Sequence, residues 1–156
     1  MKTFEDLFSI KKPPVSEEEL QTVESEIGIE IPISLRELYK INNGGYAGPH
    51  ETSYKIYHNA ECIGGLNIFY DIENLKTTYL HTLKGAEAAG LGDFGSNRFI
   101  AFSDWGACFI CIGYTENDLG KIFLIDTGDP IDEINFPIFK LADSLEEFFD
   151  GLRPSE

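Results

Sequence analysis

Residues 98–126 read RFIAFSDWGACFICIGYTENDLGKIFLID, and their punctuation decides the fold. Three apolar runs stand out: Arg98 to Ser103, Ala107 to Gly113 and Lys121 to Asp126. They are rich in Phe and Ile, which suit a pleated, half-buried surface. Asp104-Trp105-Gly106 and Thr115 to Gly120 supply the turns between them. Parallel neighbours would need long crossovers, so these short connections predict an antiparallel meander. Ile138 to Leu141 is a candidate fourth strand.

Helical patterns flank this stretch. Downstream, Ser144-Leu145-Glu146-Glu147 matches a capping box, and Leu145, Phe148, Phe149 and Leu152 follow at helical spacing. Upstream, Thr3 to Phe8 predicts a short helix with Phe4, Leu7 and Phe8 on one side, broken by Lys11-Lys12-Pro13-Pro14. Ser16 and Glu19 form another capping box, ahead of an apolar stripe of Leu20, Val23 and Ile27 that Gly28 ends. Pro32 delays the next helix, for which Ser34 and Glu37 predict a further box and Leu35, Leu38 and Ile41 the buried face. Asn42-Asn43-Gly44-Gly45 stops it. In the middle, Tyr54 to Tyr57 and Leu66 to Tyr70 are strand candidates. Asp71 to Leu83 predicts a helix with Ile72, Leu75, Tyr79 and Leu83 as its stripe, before a glycine-rich stretch from Gly85 to Gly95. Helices at both ends and strands between them predict an α+β fold over a single domain, residues 1–156, rather than repeated βαβ units.

A chain of 156 residues buries about 70% of the surface its unfolded form exposes, so it needs no disulfide or metal to hold a core. Its 27 acidic and 12 basic residues give a net charge of −15. Such a chain repels phosphate backbones and anionic lipid and attracts basic surfaces, which argues against nucleic-acid or membrane partners. Glu5 and Asp6 lie where a signal peptide needs an apolar core, and no run of apolar residues is long enough to span a bilayer. The odd cysteine count, three, fits a reduced, cytoplasmic protein.

The order of these features resembles the SUKH superfamily, which includes Smi/Knr-type cell-wall synthesis regulators and many bacterial immunity proteins. The first matching block is Ser16-x-x-Glu19-Leu20, Val23-Glu24, Gly28-Ile29-x-Ile31-Pro32, Leu35-Arg36-x-Leu38-Tyr39 and Asn43-Gly44-Gly45. The second is Phe99 to Phe102, Cys108 to Ile112 and Gly120 to Leu124. The third is Leu141-Ala142-x-Ser144-Leu145-Glu146-Glu147-Phe148. The turn after the first core strand, Asp104-Trp105-Gly106-Ala107, has one glycine where the family often has more, and residues 46–95 lie outside the matching blocks. The resemblance implies a binding module without catalysis. In bacterial members that module is commonly an immunity protein, or antitoxin, that neutralises a polymorphic toxin, often a nuclease. A regulatory or scaffolding module of Smi/Knr type is the alternative. A basic toxin domain is the expected protein partner, because nucleases carry Lys and Arg for phosphates and an acidic protein is steered to them.

The remaining motifs carry no catalytic, cofactor or metal assignment. Cys108 and Cys111 form a C-x-x-C inside a strand, where residues i and i+3 face opposite ways, so both read as buried structural thiols. Cys62 has no such partner. Gly90 to Gly95 spells G-x-G-x-x-G, but a helical tail precedes it and a strand follows, the reverse of a dinucleotide site. His50, His58 and His81 lack metal-ligand spacing, and no nucleophile set is legible. The acidic run Asp126 to Glu133 is a solvated turn, a partner-contacting loop or a Ca²⁺ loop, though the EF-hand order is missing. Trp105 either packs over a sheet end or stands exposed as an interface anchor. Residues 116–156 hold 11 acids against 3 bases, which places the protein-binding candidates there and at the nearby turn: Asp104, Trp105, Glu116, Asp118, Asp126, Asp129, Asp132 and Glu133.

Overall fold

The computed structural model describes residues 2–10, 12–47 and 53–154; Lys11 and His50 lie outside the described residues. In chain order the N-terminal elements are α1 (Phe4–Leu7), β1 (Phe8–Ile10), α2 (Glu17–Ile27), α3 (Ile33–Tyr39) and β2 (Gly45–Ala47). The middle supplies β3 (Tyr54–His58), β4 (Glu61–Leu66), β5 (Ile68–Phe69), α4 (Ile72–Thr77), a π-helical turn (Thr78–Leu83) and α5 (Lys84–Ala88). The remainder is β6 (Phe99–Trp105), β7 (Cys108–Gly113), β8 (Ile122–Asp126), β9 (Ile138–Ala142), α6 (Leu145–Gly151) and β10 (Arg153–Pro154). The fold is α+β.

The meander forms as its sequence dictates. β6, β7, β8 and β9 lie side by side in that order, each antiparallel to the next. The first turn is tighter than the sequence suggests: Asp104 and Trp105 belong to β6, and Trp105 pairs with Cys108. Gly106 and Ala107 alone close the hairpin, with Gly106 at φ +60°, as a two-residue turn of this hand requires at its first position. β6 also carries a bulge between Ala101 and Ser103. The extra residue, Phe102, stacks on Phe69 at 5.0 Å, while the Ser103 hydroxyl donates to the Ile68 carbonyl.

Both faces of this sheet are covered. On one face, β4 approaches so closely that a Cβ at Gly65 would lie 2.9 Å from the Trp105 ring, and one at Gly64 would lie 3.1 Å from Leu124. On the other, Phe99 and Phe123 pack at 4.6 Å, and Gly95 lies against Phe99 and Ile125. The stripe Ile72, Leu75, Tyr79 and Leu83 is buried as expected. Its helix is not uniform, however, because Thr78–Leu83 widens into a π turn before α5.

Phe69, 1% exposed, ties the terminal segments to the centre. Its ring contacts Phe4, Phe8, Tyr39, Phe102 and Phe149. Near it, Gly45 pairs so tightly with β1 that a Cβ would fall 2.0 Å from the Ser9 carbonyl oxygen. The Asn-Gly-Gly stop is thus also a point of close backbone approach.

Five local expectations need correction. Phe8 is not helical but opens β1. The box at Ser34 does not form: α3 starts at Ile33 with Pro32 as its cap, and the Leu35 and Arg36 N–H groups donate to the Pro32 carbonyl. The proline ring pre-sets the entry, and Glu37 pairs with Lys40 instead. Tyr39 rather than Ile41 completes the buried face, since Ile41 lies beyond the helix and is exposed. The box at Ser144 is half-formed: Ser144 accepts from the Glu147 N–H, but the Glu147 carboxylate reaches the Asp143 N–H. Finally, Leu66 to Tyr70 is not one strand. Leu66 ends β4, Asn67 accepts from Ala47, and Ile68–Phe69 joins β2 in another sheet.

Candidate functional site

One end of the four-stranded sheet gathers three of the candidate residues. Trp105 is paired with Cys108, and Cys108 with Asp126, so β6, β7 and β8 end together there. Trp105 is packed on one side and open on the other: one side of its ring lies over Gly65, and the residue remains 39% exposed. Asp104 points inward and accepts from the Tyr70 hydroxyl, whose pKa is pushed up by burial first and by this carboxylate second. Asp104 is therefore a structural anchor before it is a contact. Cys108 and Cys111 lie on β7, facing opposite ways, and both are buried. Burial, with Asp126 beside it, pushes the Cys108 thiol up to about 11, and burial raises Cys111 further.

From this end the chain leaves β8 as an exposed loop. The Asp126 carboxylate accepts from the Gly128 N–H, and Thr127 binds the Ala107 carbonyl through both its N–H and its hydroxyl. Asp132 organises the distal turn. Its carboxylate accepts from the Ile134 and Asn135 N–H groups at 2.8 Å and from the Asn135 amide. These bonds, the Asn135 side chain's foremost, hold its pKa below the usual carboxylate value, so it stays charged. Asp129 and Glu133 are exposed. Among the described residues, none of Asp126, Asp129, Asp132 and Glu133 forms an ion pair.

Glu116 and Asp118 lie elsewhere. They sit on the β7–β8 turn, at the opposite end of the sheet, and β8 separates them from Asp126 by roughly 15 Å. Asp118 is further engaged by Arg98 at 3.1 Å. The eight candidates thus do not form one patch.

Several acids of the N-terminal half are matched by cations, whereas Glu5, Glu18 and Glu30 form no ion pair among the described residues. Arg36 joins α2 to α3 by pairing with Glu17 at 2.9 Å and Glu24 at 2.8 Å, and Lys40 reaches Glu17. These cations hold the Glu17 carboxyl down to about 2. Lys76 takes Glu26 and Glu73, and Lys12 takes Asp71. A broad surface concavity beside Glu24, Ile33 and Arg36 is crossed by the Arg36–Glu24 pair.

Among the described residues, the histidines and glycines join no site. His58 packs edge-on against Phe139, and His81 is exposed. Among the described residues, no group of three His, Cys, Asp or Glu could hold a metal ion. Gly90 to Gly95 follows α5 and precedes β6, with Phe94 packed on Phe136 at 5.0 Å. No helix of the described residues is long and apolar enough to cross a membrane. Sequence reasoning passed over Leu91, Ile131 and Ile134, which the fold leaves exposed beside the acidic loop. Their one signal was apolar residues placed among turn formers, outside any strand or helix period.

The sequence model of the SMI1 / KNR4 family (SUKH-1) matches residues 14–151, from just before α2 to the end of α6. No curated protein matches the chain.

Proposed function

The chain belongs to the SMI1 / KNR4 family (SUKH-1), and from that premise we propose that it is a non-catalytic immunity protein that binds and neutralises a cognate bacterial toxin. Family membership carries a protein-interaction role; the toxin is the finer reading. The observation that favours it is the partition of charge. Cations inside the fold match Glu17, Glu24 and Glu26 of α2 and Glu73 of α4, whereas the acids of the β8–β9 loop have no ion pair among the described residues. An unmatched acidic loop suits a basic protein surface, and a nuclease domain presents one because it must hold phosphates. The chain acts as a single domain in the cytoplasm, where its three free cysteines persist as thiols.

The test is co-expression. A toxin domain sought beside this chain's gene is induced in a sensitive host, with and without the chain. Growth restored by the chain, together with a co-purifying complex, supports the reading. A neighbouring toxin that kills equally in both cases sinks it. A domain that binds without protection of growth points to the regulatory alternative.

A further inference from the structure

Two loops meet beside the acidic turn. The Asp93 N–H donates to the Ile134 carbonyl at 2.7 Å, and Phe94 and Phe136 pack face to edge beneath them. Gly92 lies so near that a Cβ there would fall 2.9 Å from the Ile134 oxygen. The Ile131 N–H donates to the Asn135 carbonyl, closing the second loop. On this paired surface Leu91, Ile131 and Ile134 are 63%, 68% and 61% exposed. The segments that build it, residues 85–97 and 122–139, hold six acidic residues and no Lys or Arg. Exposed apolar side chains inside a polar rim mark an interaction surface, and a rim of one sign selects the sign of its partner. A second copy of the chain does not fit, because a two-fold contact would set this acidic rim against itself.

We propose that the surface of loops 90–95 and 131–136 is the docking face for the basic toxin domain, with Leu91, Ile131 and Ile134 as its apolar anchors; this rests on the immunity reading above. The anchors hold the complex once formed, and the carboxylates around them guide its approach. Glu116 and Asp118, at the far end of the sheet, take no part.

The probe is the toxin domain that the growth test identifies. Leu91→Ser, Ile131→Ser and Ile134→Ser combined should weaken its Kd by about 100-fold, mostly through a faster off-rate. The control, Ile33→Ser with Ile41→Ser, removes equally exposed side chains on α3 and just beyond it, and should change Kd by less than about twofold. All five side chains are exposed, so melting should be unchanged. If the triple variant melts early, Ile131→Ser alone carries the test, with about a tenfold loss expected. Wild-type affinity in the triple variant overturns this face while leaving the immunity reading intact. A wild-type dimer in sedimentation that the triple variant abolishes assigns the face to a second copy instead. A wild-type chain that binds no toxin domain removes both readings together.

Discussion

Neutralising the β8–β9 loop should slow association with a basic partner while sparing the fold. The variant is Asp129→Asn, Asp132→Asn and Glu133→Gln. At position 132 an Asn keeps the oxygen that receives the Ile134 and Asn135 N–H groups, so the turn persists. Only the second oxygen, which accepts from the Asn135 amide at 3.0 Å, is exchanged. All three residues are exposed, so their effect falls on approach more than on residence. Association rates among variants of one interface span about one to three decades. Three exposed charges belong at the low end of that range, about three- to thirty-fold slower at low salt. Screening sets the signature. The Debye length falls from about 10 Å at 0.1 M to about 3 Å at 1 M salt, so the two rates should converge as salt rises. Stopped-flow association with the toxin domain over that range reads both quantities. The control must avoid Glu17 and Glu24, since removing them strands Arg36. Glu5, Glu18 and Glu30, exposed and without ion pairs among the described residues, serve instead. Equal rates for wild type and the loop variant at low salt refute the placement. Equal slowing in the control variant shows that total charge, rather than this loop, does the steering.

Phe69→Ala empties a buried ring site touched by five other aromatic rings and should cost about 3–5 kcal/mol; a loss under about 1 kcal/mol in urea titration contradicts the joint described here. In native protein Cys62 should be the one thiol that reacts promptly with a disulfide reagent, with Cys108 and Cys111 following only in denaturant, since both are buried and raised in pKa. Glu17 is lowered from 4.5 to about 2, so its contribution is present above about 4.5 and is lost as pH falls through about 2. Glu17→Gln should flatten stability over that interval, and an unchanged slope counts against the Arg36 and Lys40 pairs as its source.

The meander was legible because its strands are long, apolar and separated by short turns, so local pattern and pairing agree. β1, β2 and β10 were not. Two or three residues show no period, and their pairing depends on partners distant in the chain, such as Ser9 with Tyr46. β4 hid behind Gly64 and Gly65, which look like breakers until the Trp105 ring explains them. The Ser34 box misled because Pro32 offers a rival helix start two residues earlier. For the site, the sequence showed where acids concentrate but not strand direction. Without it, Glu116 and Asp126 seem neighbours, although a full strand lies between them. Leu91 and Ile134 sit far apart in the chain, and their loops are joined by the Asp93 hydrogen bond to Ile134 and the Phe94–Phe136 contact.

The position of Trp105 makes the molecule its own optical reporter. The chain has a single indole, so its fluorescence comes from one place: the sheet end from which the acidic loop departs. One side of the ring is shielded by the β4 backbone, and the residue as a whole is only partly open to water. Unfolding exposes the shielded side and moves emission to longer wavelength. A partner seated over this end dries the open side and moves emission the other way. The two events therefore separate by the sign of a colour change, in unlabelled protein.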